Sequence, residues 1–170
     1  MPQEFFNLFR KAIVNCDIET VQNYIDEANN KGYHLNQNDP KTTFTLLHFA
    51  ITKATKHNED QMIQIIDLLH ISGIDVNRPT IDDFHFVPLH TAARRLLPNI
   101  VKWLLDHGAD RTIKDIKDTK PYQTALDYIE ILLNAPTDNK DRLEEMVDIL
   151  ETYAISPNEP NFPWGLCHIL

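Results

Sequence analysis

The sequence predicts an all-α fold, a helical solenoid of about four degenerate repeats joined by short hairpin connections. Three observations lead to this prediction. Three of the four glycines follow an apolar pattern with helical spacing, a similar short segment precedes the second and third of these patterns, and the glycines recur at intervals of 41 and 35 residues. Recurrence with a period of roughly 20 to 50 residues is the signature of stacked repeats, each burying its apolar face against a neighbour.

The glycines Gly32, Gly73 and Gly108 stand where three helices are expected to end. A glycine just past a helix takes the left-handed backbone conformation without steric cost. The residues ahead of each glycine have the i, i+3, i+4 spacing of an amphipathic helix. They are Val21, Tyr24 and Ile25, then Ile65, Ile66, Leu68 and Leu69, then Ile100, Val101, Leu104 and Leu105.

A short segment recurs ahead of the later helices. It comprises residues 47–50, Leu-His-Phe-Ala, residues 88–93, Pro-Leu-His-Thr-Ala-Ala, and a weaker form at residues 124–127, Thr-Ala-Leu-Asp. Small side chains such as alanine suit a helix that lies close against its neighbours. Each unit is therefore predicted to contain a short helix, a turn, a longer helix and an extended polar segment.

These segments resemble the ankyrin repeat family. Residues 87–93 resemble the family's Thr-Pro-Leu-His-x-Ala-Ala element, and residues 99–110 resemble its second helix with the Gly-Ala-Asp that follows. The resemblance implies one repeat domain over residues 5–154 and a proline-rich tail over 155–170. Its repeats would span residues 5–38, 39–80, 81–117 and 118–154, with insertions near 56–60 and 136–140. An irregular helical bundle is the alternative fold.

Composition and charge narrow the function. The formal net charge is −9 and the isoelectric point about 5.2, and the basic residues are scattered, whereas nucleic-acid binding proteins present a basic face to phosphates. Two cysteines make no disulfide framework. Residues 1–16 lack the apolar run of a signal peptide. We therefore expect no nucleic acid partner and a cytoplasmic location.

The sequence also lacks the residue patterns of a catalytic, metal or cofactor site. His48 and His90 occupy matching repeat positions, where the resemblance implies a structural hydrogen bond. The other histidines show no ligand-like pairing with one another or with cysteine, and a zinc site needs three or four convergent ligands. Neither serine lies in a nucleophile-elbow context, and no glycine-rich phosphate loop occurs. We predict a protein that is not an enzyme, with no metal and no cofactor.

The resemblance implies that a partner binds at the hairpin tips and on the exposed face of the first helices. Aromatic residues beside arginine are typical of interface hot spots. In the alternative, the aromatic side chains turn inward and fill gaps between irregular repeats. The predicted partner-binding residues are Phe44, Phe49, Lys53, Phe84, Phe86, Arg94, Arg95 and Tyr128.

These expectations describe a monomeric protein–protein interaction module that acts as an adaptor or as an inhibitor by occlusion. The composition, rich in Asn, Ile and Lys, and the eroded repeats resemble ankyrin proteins that intracellular bacteria deliver into host cells. In that case the protein would bind a host protein in the host cytoplasm. An enzyme on a helical-repeat scaffold is a third hypothesis, which needs a convergent polar pocket.

The last four residues of the sequence, Cys167 to Leu170, resemble a prenylation signal. This motif supports a second hypothesis, a prenylated adaptor tethered to a membrane through Cys167. His168 departs from the motif, and no polybasic run precedes it to supply a second membrane signal. Alternatively, apolar residues of the tail such as Phe162 and Trp164 dock on the last repeat as a cap.

Overall fold

The structure, a computed structural model, describes residues 1–116 and 124–153. These ranges contain eight helices and no strand. The first helices of successive units (α1, α3, α5, α7) pack side by side, and the second helices (α2, α4, α6, α8) form a second layer behind them. The helices are α1 (Gln3–Val14), α2 (Ile18–Asn30), α3 (Leu46–Lys53), α4 (Glu59–Ile71), α5 (Pro88–Arg94), α6 (Pro98–Asp106), α7 (Ala125–Leu133) and α8 (Lys140–Thr152).

The predicted all-α solenoid is confirmed, with small differences at its insertions. The second helix of the last unit begins at Lys140, at the end of the insertion predicted near residues 136–140. The insertion near residues 56–60 comprises the end of the connection between α3 and α4 and the first two residues of α4. The Asn58 side chain holds this connection by accepting a hydrogen bond from the Thr55 backbone N–H at 2.6 Å.

The turns after the helices have the predicted left-handed backbone. Gly32, Gly73 and Gly108 have φ angles of 67°, 92° and 86°. Cys16 and Leu96 take the same conformation, at 51° and 55°, in the tight turns between α1 and α2 and between α5 and α6. The turn between the two helices of the first unit therefore resembles that of the third unit.

One apolar core runs through the stack between the two layers. Ile65, Ile66 and Leu69 on α4 are fully buried, as are Ile100 and Leu104 on α6. Burying one such side chain contributes about 1.5 to 3 kcal/mol. Within the two described ranges, no helix has the length and apolar character needed to cross a membrane.

Polar side chains tie successive units together. Asn77 accepts a hydrogen bond from the Asp110 N–H at 2.8 Å and donates one to the Gly108 carbonyl at 2.9 Å. The buried carboxylate of Glu59 accepts one from the Ile100 N–H at 3.1 Å and another from Arg142 at 3.0 Å. Because the Glu59 carboxylate is buried and needs partners, its two bonds fix the register of α4 against α6 and α8.

The loops that precede α3 and α5 also meet. The Ile81 N–H donates to the Thr43 carbonyl at 3.2 Å, and the Ile116 N–H donates to the Phe84 carbonyl at 2.9 Å. These backbone bonds join the loops into a row along one edge of the first-helix layer. We call the surface formed by these loops and by α1, α3, α5 and α7 the first-helix face.

Candidate functional site

The loop of residues 80–86 holds two phenylalanines on the first-helix face. The Thr80 N–H donates to the Phe86 carbonyl at 2.9 Å and closes the loop. Inside it, one oxygen of Asp82 accepts hydrogen bonds from the Thr80 hydroxyl and from the backbone N–H groups of Phe84 and His85, at 2.7, 3.1 and 3.2 Å. The loop is therefore held by its own polar groups, so its aromatic side chains are presented in fixed positions.

Phe84, Phe86, Tyr128 and Arg94 form one cluster, which we call the aromatic patch. The rings of Phe84 and Phe86 stack with centroids 5.3 Å apart and planes 3° apart, and Tyr128 meets Phe86 edge-on at 6.0 Å. The Arg94 guanidinium lies 4.7 Å from the Phe86 centroid and 5.6 Å from that of Tyr128. Phe84 is 38% exposed, and Phe86 and Tyr128 are half-buried. Three of the predicted binding aromatics and one arginine thus meet at one surface.

Tyr128 is fixed at its other end by Asp115. The Tyr128 hydroxyl donates to the buried Asp115 carboxylate at 2.5 Å. Burial, followed by this hydrogen bond and the negative charge of Asp115, raises the pKa of the Tyr128 phenol above its ordinary value. The phenol therefore stays neutral and serves as a positioned ring.

His48 and His90 lie beneath the patch in structural roles, as expected. His48 Nε2 lies 2.8 Å from the Phe86 carbonyl, which can only accept, so Nε2 carries the proton and Nδ1 accepts from the Thr45 hydroxyl at 2.8 Å. In His90, Nδ1 accepts from the Val87 N–H at 3.2 Å. Burial lowers the pKa of His48 to about 4, which keeps the imidazole neutral.

Phe49 does not face solvent, so this part of the sequence prediction was wrong. Its side chain is only 7% exposed, because the Arg10 guanidinium covers the ring at 4.6 Å and the Lys53 ammonium lies 5.4 Å away. Arg10 is held there by an ion pair with the buried Asp39 carboxylate at 3.4 Å. We call Arg10, Asp39 and Phe49 the closed site.

Asp39 is ionised within the closed site. Burial by itself would raise the pKa of this carboxyl, but hydrogen bonds from the Lys41 N–H, the Thr42 hydroxyl and Gln3, together with the charge of Arg10, hold it below its ordinary value. An ionised partner keeps Arg10 seated on Phe49.

The other predicted residues lie around these two sites. Phe44 is half-buried, with its ring 5.8 Å from that of His48. Lys53 and Arg95 are exposed, and Arg95 donates a hydrogen bond to the Ala54 carbonyl at 3.1 Å. Because Ala54 follows Lys53 directly, this bond brings the Arg95 guanidinium to the end of α3 that carries Lys53. That Phe44, Lys53 and Arg95 bind a partner stays a prediction.

Sequence reasoning missed Arg10, Asp115 and two exposed apolar residues of α7, Ile131 at 52% and Leu132 at 36%. Arg10 could be found by aligning the first unit with the third. It lies two residues before Ala12 and six before Cys16, which is the position of His90 relative to Ala92 and Leu96. Asp115 had no such signal, since its pairing with Tyr128 joins positions 13 residues apart that no repeat pattern links.

The second-helix layer carries different features. The rings of Trp103 and His107 stack at 3.9 Å, and His70 lies 5.2 Å from His107. An open groove of about 570 Å³ lies between α6 and α8, lined by Lys102 and by four carboxylates of α8. Residues 1–116 and 124–153 contain no group of histidine, cysteine or acidic side chains arranged to hold a metal ion. Cys167 and the rest of the tail lie outside the described residues.

Comparisons with known proteins agree with this architecture. The chain is 29% identical over 112 residues to the BTB/POZ domain and ankyrin repeat-containing protein NPR5 of Oryza sativa subsp. japonica. That match covers 66% of this chain but 19% of the rice protein, so the chain spans about a fifth of that relative's length. The family model for ankyrin repeats in three copies matches residues 8–115, well over half of the chain. The protein therefore belongs to the ankyrin repeat family, whose fold is one for protein–protein interaction.

Proposed function

We propose that this protein is an adaptor or an occluding inhibitor that binds another protein through its first-helix face, with the aromatic patch as the centre of contact. The observation that carries the proposal is the arrangement of Phe84, Phe86, Tyr128 and Arg94 at an open surface. Large rings and arginine at the centre of an interface supply most of the binding free energy in many complexes.

The rigidity of the patch supports this function. Asp82 fixes the loop that carries both phenylalanines, and Asp115 fixes Tyr128. Side chains that are already ordered lose little conformational entropy on binding, so more of the contact energy appears as affinity. The aliphatic side chains Ile131 and Leu132 extend the apolar surface along α7.

The test is a double substitution, Phe84→Ala with Arg95→Ala. We expect the variant to stay folded, because Phe84 and Arg95 are exposed, and to capture its partner from cell lysate at least about tenfold less efficiently, as expected for hot-spot residues. Quantitative mass spectrometry of proteins captured by wild type and variant measures this loss. Urea unfolding of the same samples measures stability.

A matched control places the same number of alanines on the second-helix layer. Lys102→Ala with Glu144→Ala changes two exposed residues of the groove between α6 and α8. This control variant should capture the same proteins from the lysate as wild type does. A double variant at Phe84 and Arg95 that loses stability but captures its partner as wild type does would refute a binding role for the patch.

Two narrower functions stay predictions. Delivery of the protein into a host cell rests on composition and eroded repeats. Membrane tethering rests on the prenylation motif at Cys167, and comparing the membrane partition of wild type and Cys167→Ser in eukaryotic cells tests it. An unchanged partition would discard the tethered adaptor.

A further inference from the structure

The two helix layers differ sharply in charge. The second helices carry twelve acidic residues, three each on α2 and α4, one on α6 and five on α8, against three basic ones. The first helices carry three acidic and four basic residues, with Arg95 directly after α5. The helices α3 and α5 contain no acidic residue. The second helices therefore account for the net charge of −9, whereas the first helices together with Arg95 carry a small excess of basic residues.

The cations at the centre of this face are available to a ligand. Lys53, Arg94 and Arg95 are exposed, and none of them forms an ion pair with any residue in the described part of the chain. Arg95 reaches the end of α3 beside Lys53, and Arg94 rests on rings of the loop and of α7. The three charges thus extend across the first-helix face from the end of α3 to the Tyr128 ring on α7.

Three carboxylates of the neighbouring loops and of α7 are already engaged within the protein. Asp82 accepts hydrogen bonds inside its loop, Asp127 accepts two from Thr124, and Asp115 accepts one from Tyr128. Asp83 in the loop and Glu130 on α7 are exposed. Among the described residues, no carboxylate pairs with the guanidinium of Arg94, which can therefore bind an external one.

From this charge separation we infer that the first-helix face binds an acidic segment of another protein, with a carboxylate on Arg94 and further carboxylates beside Lys53 and Arg95. The planar guanidinium presents donors that match a carboxylate in pairs. The neighbouring rings of Phe84 and Phe86 add an apolar contact, so the best segment combines acidic with aromatic or aliphatic residues.

A short acidic segment fits better than a long polyanion. Charges are screened beyond about 8 Å at physiological ionic strength, so a short segment is attracted by the basic face without meeting the acidic second-helix layer. A nucleic acid that extended past this face would be repelled by that layer. This inference rests on the proposed function, because it specifies the partner of the same surface.

A library of short random peptides displayed on phage tests the inference directly. Peptides selected on immobilised wild-type protein should be enriched about twofold or more in Asp and Glu over the unselected library, as electrostatic complementarity requires. Their affinity, measured by fluorescence polarisation on labelled synthetic peptides, should fall steeply as salt is raised from about 0.05 M to about 0.5 M.

Matched charge reversals locate the effect. Arg94→Glu should lower the affinity for the selected peptides at least about tenfold. Lys102→Glu makes the same charge change on the exposed surface of α6, and it should change this affinity by less than about twofold. Arg94→Lys should retain part of the binding, because it keeps the charge but not the paired donors. Urea unfolding confirms that each variant is folded.

The outcomes separate the two proposals. Selected peptides that lose affinity with Phe84→Ala and Arg95→Ala but are not enriched in acidic residues would overturn this inference and leave the proposed function standing. Peptides insensitive both to that double variant and to Arg94→Glu would overturn the proposed function as well. Tighter binding of a single-stranded RNA oligonucleotide than of the peptides, or a dimer in sedimentation that Arg94→Glu dissociates, would identify a different occupant.

Discussion

Two sites on neighbouring units place a guanidinium over a phenyl ring at nearly the same distance. Arg10 lies 4.6 Å from the Phe49 centroid, and Arg94 lies 4.7 Å from that of Phe86. In the closed site Arg10 also pairs with buried Asp39, and the ring beneath it is 7% exposed. In the aromatic patch Arg94 has no ion pair within the described residues, and Phe84 beside it is 38% exposed.

The comparison indicates that a partner carboxylate decides which role such a pair plays. Where the chain supplies that carboxylate, as it does with Asp39, the arginine covers a buried ring of the core. Where the described residues supply none, as at Arg94, the same pair of arginine and ring lies at an open surface. An external carboxylate at Arg94 would complete the patch as Asp39 completes the closed site.

The largest expected difference between the sites lies in stability. Phe49→Ala should lower the free energy of unfolding by about 3 to 5 kcal/mol, because it removes a buried ring and leaves a cavity. Phe84→Ala should lower it by only about 1 kcal/mol, since the ring is partly exposed and loses mainly its stacking contact. Urea unfolding followed by circular dichroism measures both. Equal losses would mean that the two sites do not differ as described.

A second difference follows from acidification. The folded-state pKa of His48 is about 4, below the ordinary value of 6.5, so below about pH 6.5 the unfolded chain takes up a proton that the folded protein does not. Stability is therefore lost progressively as the pH falls from about 6.5 towards about 4. Between about pH 7 and about pH 5, the free energy of unfolding should fall by about 2 kcal/mol because of this single group.

Asp82 and His90 lie near His48 and affect its titration. A substitution of His48 itself is therefore needed to isolate its contribution to the pH dependence of stability. Over the same pH interval, the free energy of unfolding of the His48→Gln variant should fall by about 2 kcal/mol less than that of wild type. His57→Gln, at an exposed position in the α3–α4 connection, should lose as much as wild type. A His48→Gln variant with the full wild-type pH dependence would show that this buried imidazole does not limit acid stability.

The fold was predictable mainly from the third unit. Residues 87–110 follow the family pattern without a gap, and Gly32, Gly73 and Gly108 mark helix ends that the structure confirms. These signals are local, since a left-handed turn or an amphipathic stripe is encoded within a few residues. The charge separation between the layers was also present in the sequence, but it becomes visible only once helix bounds assign each charge to a layer.

The direction of Phe49 was not predictable in the same way. Thr91 and Tyr128 occupy the matching position in the next two units, and both are more exposed than Phe49. Phe49 is covered because Arg10 reaches it from α1 and because Asp39 orders Arg10. This three-residue arrangement joins distant parts of the chain, so neither the repeat pattern nor the composition reveals it.

The smallest expected effect comes from exchanging the two arginines for glutamine. Arg10→Gln should lower the free energy of unfolding by about 1 to 2 kcal/mol, because the buried Asp39 carboxylate loses a charged partner. The Lys41 N–H and the Thr42 hydroxyl still serve that carboxylate and limit the loss. Arg94→Gln should change stability by no more than about 0.5 kcal/mol, as expected for an exposed residue without an ion pair.

The same pair of variants should show the opposite order in binding. Arg94→Gln should have a lower affinity for the partner than wild type, whereas Arg10→Gln should bind it with nearly wild-type affinity. The affinities are measured in buffer without denaturant, where both variants are folded. If Arg94→Gln proved the more destabilising of the two and bound normally, Arg94 would be a structural residue like Arg10. The aromatic patch would then be a second closed site, and the search for a partner surface would have to move to the second-helix layer.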